Sequence, residues 1–267
     1  AVFTSASARY FTHQERAIVV AKASLTPRDK ERYRRNISVE GFGEKGQLKL
    51  ARSTVGIVGL GGLGSPAAMY LAAAGIGALI LADDQAAELS NLNRQLLHWE
   101  NDVTASKSKV ESATWKLIEM RSDLRIVGRE ERMIPTNVKD LMKDADVILD
   151  CTDNFDVRMA LNSFCVDADV PFVHAAVEGM FGQLTTVVPG KSPCLRCLFT
   201  SNPPRKEVPV LGPAAGVLGA LQAMEAIKLI TKVGDPLTGK LLVIDLRCNS
   251  YEIVAVDRDE KCPVCSK

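Results

Sequence analysis

Between the β-branched run Thr54-Val55-Gly56-Ile57-Val58 and a small-residue stretch that opens at Ser65-Pro66, the chain places Gly59-Leu60-Gly61-Gly62-Leu63-Gly64. Strand, G-x-G-x-x-G and helix in that order constrain the fold more than any other feature, because they define a nucleotide-binding βαβ start. Gly59 permits the tight turn, Gly61 and its neighbour Gly62 let the backbone approach a phosphate, and Gly64 lets helix and strand pack closely. The helix N-terminus then offers N–H groups and a positive dipole end to an anion. Ser65 is the expected N-cap with Pro66 at the first helical position, and Gly75 is the expected left-handed stop. Asp83 lies 19 residues beyond Gly64, at the end of the next apolar run, Ala78–Ala82. A carboxylate there accepts hydrogen bonds from a ribose.

The rest of the pattern alternates. Residues 29–35 read as a charged helix start. Helical periodicity returns over Lys107–Arg121, Val138–Lys143 and Phe155–Asp167, with short apolar strands at Arg125–Val127, Val147–Leu149 and Pro171–His174. After Gly179 the order changes to a strand at Gln183–Val188, a long helix over Ala214–Lys232, and a strand pair at Leu241–Asp245 and Tyr251–Val256. The expected fold is α/β: a doubly wound, Rossmann-like, mostly parallel sheet with a C-terminal antiparallel extension.

Charge and composition exclude some classes. Thirty-three basic residues against 32 acidic ones give no argument for a nucleic-acid or membrane-surface partner. No uninterrupted apolar run reaches the roughly 18 residues of a membrane span, so a cytoplasmic protein is expected. Residues 1–26 form an N-terminal extension, rich in Ala, Ser and Arg, that reads as an organellar targeting segment, an extended reading frame or a disordered tail. Residues 27–267 form the domain proper.

Four of the seven cysteines form two C-x-x-C knuckles, Cys194/Cys197 and Cys262/Cys265. Four thiolates suit a closed, tetrahedral structural zinc site, which would tie the part of the chain from about residue 180 onward to the body. Cys151, Cys165 and Cys248 read as small buried apolar residues. His98 and His174 read as packed or surface histidines, and Met224 as core or a dimer face.

The glycine loop and Asp83 alone would indicate a nicotinamide-dependent oxidoreductase. The next motifs along the chain do not fit hydride transfer: Ser90-Asn91-Leu92-Asn93-Arg94-Gln95, then Lys107 and Lys109, then Asp150-Cys151-Thr152-Asp153-Asn154. A guanidinium, an ammonium and an acidic loop after a strand end suit a triphosphate with magnesium.

The series GLGGLG, SNLNRQ, KVESA, DCTDN, PCLRC and GVLGALQAMEAIK resembles, in content and order, the MoeB/ThiF/HesA proteins, bacterial relatives of ubiquitin-activating enzymes. That resemblance spans Arg32 to the C-terminus. It implies ATP- and Mg²⁺-dependent adenylation of the C-terminal Gly-Gly carboxylate of a small ubiquitin-like sulfur carrier protein, with release of pyrophosphate. By the same resemblance Asp83 holds the ribose and Arg94 and Lys109 the phosphates. Asp153 holds magnesium, Asn91 and Gln95 support the loop, and Arg35 reaches the triphosphate, often from the second subunit of a homodimer. Two departures stand out. Gln85 occupies the position where the family tends to carry a second acid (D-x-D), and the crossover loop Ser201–Leu211 has no cysteine. Together with the absence of a rhodanese-like segment after Cys265, the second departure points to a separate sulfur donor. A non-catalytic scaffold binding a ubiquitin-like partner is the alternative that Gln85 and the missing cysteine would support.

Overall fold

The computed structural model describes residues 22–201 and 208–266. Eight strands, β1 (Thr54–Val58), β2 (Ala78–Ala82), β3 (Arg125–Arg129), β4 (Val147–Asp150), β5 (Phe172–Glu178), β6 (Phe181–Val187), β7 (Lys240–Asp245) and β8 (Ser250–Ala255), form one sheet. Its order is β3-β2-β1-β4-β5-β6-β7-β8. Strands from β3 through β5 pair in parallel, and β5 through β8 pair antiparallel. The C-terminal extension therefore continues the nucleotide-binding sheet.

Helices cover both faces. Those used below are α1 (Pro27–Arg32), α2 (Arg34–Ile37), α3 (Gly43–Ala51), α4 (Gly64–Ala74), α5 (Glu100–Thr104), α6 (Lys109–Met120), α7 (Val138–Met142), α8 (Phe155–Ala168), α9 (Leu195–Leu198) and α10 (Gly212–Thr231). β1, β2 and β4 are buried along their whole length, as parallel strands covered on both sides must be. Alternate residues divide between two cores. Val55, Ile57, Leu79, Leu81 and Leu149 pack with α4, α6 and α10, whereas Val58, Ile80, Ile148 and Phe172 pack with α7 and α8.

α10 is, among the described residues, the one helix long and apolar enough to cross a membrane by length and composition. Here it lies against α4, β5 and β6 with just over half of its apolar window buried, and its Gln222, Glu225 and Lys228 side chains all bond within the protein.

At the N-terminal side Lys22–Thr26 belong to the described fold. Arg52 donates to the carbonyls of Lys22 and Ala23, and Leu25 is buried. Thr26 and Asp29 form a capping box with Pro27 at the first turn of α1. Of the extension read from the sequence over residues 1–26, residues 1–21 lie outside the described residues, as do residues 202–207 of the crossover loop.

Candidate functional site: an amide cradle at the sheet switch point

The strand order reverses between β1 and β4, and the loops after these strands meet there. The Cys151 amide donates to Val58 O, and a Cβ on Gly59 (φ +89°) would sit 2.7 Å from Cys151 O. A Cβ on Gly64 would overlap Gly59 O, so these two glycines are demanded by the chain's own packing. Gly61 is different. Its Cβ would meet only the Gln95 side chain, at 3.6 Å, so nothing inside the protein requires glycine there. Glycine there leaves room for a ligand to approach the backbone closely.

α4 starts at Gly64 with Leu63 as its cap, so Ser65 is not the N-cap expected from the sequence. The Ser65 amide donates to Gly61 O, and its hydroxyl donates to Leu60 O. The first helical turn is thus wound out of the glycine loop itself. Among the described residues the amides of Gly61, Gly62, Leu63 and Gly64 meet no acceptor. Successive unpaired N–H groups at a helix start form an anion-binding cradle. Gly75 ends α4 in the left-handed region, as expected.

The structure brings most of the sequence-derived candidates to this cradle. Asp83 Oδ2 accepts from Leu60 N (2.7 Å) and Oδ1 from Gln85 N (3.0 Å), which leaves a lone pair on each oxygen for a hydroxyl donor. Burial raises the Asp83 carboxyl above its usual range, and the Lys109 charge opposes that shift. Lys109 is buried at the first turn of α6 with its Nζ 2.7 Å from Gln85 Oε1. The Arg94 side chain runs over Gly62, and its guanidinium donates to Ser90 O and Asn93 Oδ1. Asn91 accepts from the Glu88 amide and shapes the loop, while buried Gln95 leaves its Oε1 without a donor next to Gly61. Asp153 is exposed on the β4–α8 loop, immediately before Asn154, which caps α8. Arg35 is exposed on α2, and no hydrogen bond joins it to the loop among the described residues.

Several supporting groups are not singled out as site residues by the sequence. Asp150, the first acid of the DCTDN loop, is fully buried. Its carboxylate binds Arg158 Nε (2.8 Å), His174 Nδ1 (2.7 Å), and the Thr152 amide and hydroxyl. Burial would raise this carboxyl, but the Arg158 guanidinium and the His174 imidazole outweigh it and hold it below the usual range. Arg158 also donates to Thr152 O, so the loop carrying Asp153 is clamped from beneath. Gln222 of α10 donates to Asp150 O and Val173 O. α10 begins so close to the Arg94 loop that a Cβ on Gly212 would lie 2.5 Å from Asn93 O. The sequence signal for these groups is their position at strand ends. Apart from Thr152, the partners of Asp150 lie 8, 24 and 72 residues away in the chain, so the fold pairs them.

The four knuckle cysteines bring their Sγ atoms within 4.8 Å of one another, with Cys194–Cys262 at 3.6 Å and Cys197–Cys265 at 3.5 Å. A tetrahedral zinc–thiolate site with bonds near 2.3 Å has sulfur–sulfur edges of about 3.8 Å, so the donor set fits a structural zinc ion. Cys151 and Cys165 are buried as expected, but Cys248 is exposed on the β7–β8 turn, and Met224 projects from α10 half exposed.

A ThiF family profile matches residues 33–264. The chain belongs to the ThiF family. It is therefore a nucleotidyltransferase, built on the MoeB/ThiF/HesA plan. It is 42% identical over 244 residues to the vegetative HesA protein of Trichormus variabilis, covering 91% of each chain. With the sulfur carrier protein ThiS adenylyltransferase of Escherichia coli the identity is 41% over 246 residues, covering 90% of this ThiF-family chain and 97% of that protein. With the SAMP-activating enzyme E1 of Haloferax volcanii it is 40% over 250 residues, covering 91% and 92%. Among solved structures, E. coli MccB with ATP superposes with a TM-score of 0.78 at 29% identity, covering 88% of this chain and 73% of that one.

Proposed function

We propose that this protein adenylates the C-terminal Gly-Gly carboxylate of a small ubiquitin-like sulfur carrier protein, using ATP and releasing pyrophosphate. The observation that carries the reading is the convergence of a four-amide cradle, Arg94, Lys109 and the Asp153 loop at one switch point. Relatives whose names specify adenylation of ThiS or activation of SAMP supply the substrate class.

In the reaction a carboxylate oxygen of the carrier tail attacks the α-phosphorus of ATP, and the bond from that phosphorus to the bridging oxygen breaks. Negative charge grows on phosphoryl oxygens and departing pyrophosphate, and pre-positioned cations and amides stabilise it. Here the Gly61–Gly64 amides face the phosphates, Arg94 and Lys109 neutralise them, and Asp83 orients the ribose. Asn91 and Gln95 hold the loop that carries Arg94. Exposed Asp153 would hold a hydrated magnesium ion, which lowers the charge repulsion between the phosphates and the carboxylate. Arg35, exposed on α2 and without a hydrogen bond to the loop among the described residues, acts on the site of a second copy in a homodimer. No general base is needed, because the attacking carboxylate is ionised at neutral pH. The zinc site shapes the C-terminal part and takes no part in the reaction. Sulfur comes from a separate donor in a reducing, cytoplasmic setting that keeps the knuckle thiols free to bind metal.

The deciding test is ATP–pyrophosphate exchange with magnesium against a panel of purified Gly-Gly carriers, with Asp153→Ala as control. Exchange that depends on one carrier and disappears in the control establishes the activity and its substrate. ATP binding without exchange on any carrier favours the scaffold reading.

A further inference from the structure

We propose that His98 is a positioning residue for the nucleotide loop, aiming the Gly61 amide into the cradle by holding the Leu60 carbonyl. The identity of the ligand rests on the adenylation reading. The geometry does not.

His98 is 3% exposed and lies in the segment between Arg94 and α5. Its Nε2 is 2.9 Å from Leu60 O, and its Nδ1 is 2.9 Å from Ser112 Oγ on α6. A carbonyl only accepts, so Nε2 carries the proton and donates it to Leu60 O. In the neutral ring Nδ1 then faces the Ser112 hydroxyl as an acceptor, and Asp102 Oδ2 (2.9 Å) and Leu97 O (3.2 Å) share that hydroxyl's proton. Ser112 Oγ in turn accepts from Lys116 Nζ (2.8 Å), which is paired with the Asp102 carboxylate. The Leu60 carbonyl itself selects the tautomer that can hold the loop, and the Ser112 hydroxyl seats the opposite edge of the ring. Burial lowers the ring's pKa to about 4, so the neutral form persists across the physiological range.

The Leu60 carbonyl and the Gly61 N–H share one planar trans peptide and point to opposite sides of it. Anchoring the carbonyl toward α6 turns the Gly61 N–H outward, to the side where no protein acceptor lies among the described residues. The preceding peptide is fixed as well, because the Leu60 N–H is bound by Asp83 Oδ2. The 60–61 peptide needs such a lock. With glycine on its C-terminal side it can flip at little steric cost, since no Cβ opposes the new dihedrals. A flip would point a carbonyl oxygen at the phosphate position and remove one donor from the cradle.

His98→Leu removes the donor at similar bulk, and His98→Gln places an amide N–H near the Nε2 position. The measurement is the Kd for Mg-ATP by titration calorimetry, with Tm for each variant and ATP KM and kcat in the exchange assay. The expected result is at least tenfold weaker Mg-ATP binding for His98→Leu, restored to within about threefold by His98→Gln, and a KM effect larger than the kcat effect. Equal losses in both variants, or an unchanged Kd in a folded His98→Leu, overturn the proposal. Should His98→Leu fail to fold, Ser112→Ala serves, because it keeps the imidazole and removes the hydroxyl that seats its Nδ1 edge. A several-fold rise in Kd there supports the assignment, and an unchanged Kd overturns it. Wild-type protein that binds no Mg-ATP sinks the nucleotide reading and this proposal together, whereas wild-type binding without carrier-dependent exchange sinks only the adenylation reading.

Discussion

Lys109 is joined to Gln85 twice: its Nζ donates to the side-chain Oε1 at 2.7 Å, and its backbone N–H donates to the Gln85 carbonyl at 2.9 Å. The residue at which this chain departs from the family's D-x-D pattern is thus the residue that holds Lys109, the lysine proposed to bind phosphate. A neutral amide orients the ammonium without cancelling its charge. A carboxylate in the same place would form a charge-assisted pair that an incoming phosphate has to break. Gln85→Glu is expected to weaken Mg-ATP binding about three- to tenfold, read by titration calorimetry. Equal or tighter binding would show that Lys109 is not held in reserve for phosphate.

The glycines separate packing from ligand approach. Gly64→Ala drives a methyl into the Gly59 carbonyl oxygen and should cost more than about 3 kcal/mol in urea unfolding. Gly61→Ala meets only Gln95 at 3.6 Å, so its Tm should stay within about 2 °C of wild type while Mg-ATP affinity falls at least tenfold. A Gly61→Ala protein with full ATP affinity would remove the close-approach argument.

Acid stability carries a signature of His98. Its pKa is lowered from 6.5 to about 4 by burial, so the folded protein refuses a proton that the unfolded chain accepts below pH 6.5. Stability tied to the neutral ring is complete above pH 6.5 and is lost as pH falls toward 4, on the order of 3 kcal/mol in all. His174, lowered by burial and by the Arg158 charge, adds a loss of the same sign. Urea unfolding at pH 7, 6 and 5 should therefore show falling stability, with a shallower fall in His98→Gln. Identical slopes for the two proteins would contradict the burial argument.

The Asp150 clamp predicts a sharp asymmetry. Arg158→Met leaves a buried carboxylate without its guanidinium and frees Thr152 O, so a loss of about 3–5 kcal/mol is expected in urea unfolding. A loss under about 1 kcal/mol would mean that His174 and Thr152 suffice to hold Asp150.

For the metal, purified protein should contain one zinc per chain by elemental analysis. Cys262→Ser should lose it and lower Tm by several degrees. Full zinc occupancy in that variant would refute the four-thiolate assignment.

Much of the fold can be read directly. β1 and β2 fall on the expected residues because a fully buried parallel strand is an uninterrupted apolar run between turn residues. Gly75 ends α4 as expected, since few residues accept that conformation. Ser65 misleads because α4 begins inside the glycine loop, where the backbone leaves amides free and a side-chain cap would compete with a ligand. Cys248 misleads because residue type alone cannot distinguish a core thiol from one on a hairpin turn. At the candidate site, the residues that local motifs single out are the glycines, Arg94, Lys109 and the knuckle cysteines, and the fold gathers the glycines and Arg94 at one loop and the cysteines in one cluster. His98, Asp150 and Arg158 are not singled out, because their roles depend on partners brought near by sheet order and helix packing.

The two cysteine knuckles have a topological consequence. With Cys194 and Cys197 gathered against Cys262 and Cys265, the intervening chain, which includes α10, β7 and β8, becomes a ring closed at the four clustered sulfurs. Lengthening a closed ring is cheap: each doubling of a flexible loop costs only about 0.6 kcal/mol. Segments within it can therefore gain or lose residues over evolutionary time while the C-terminal tail stays fastened in the same place.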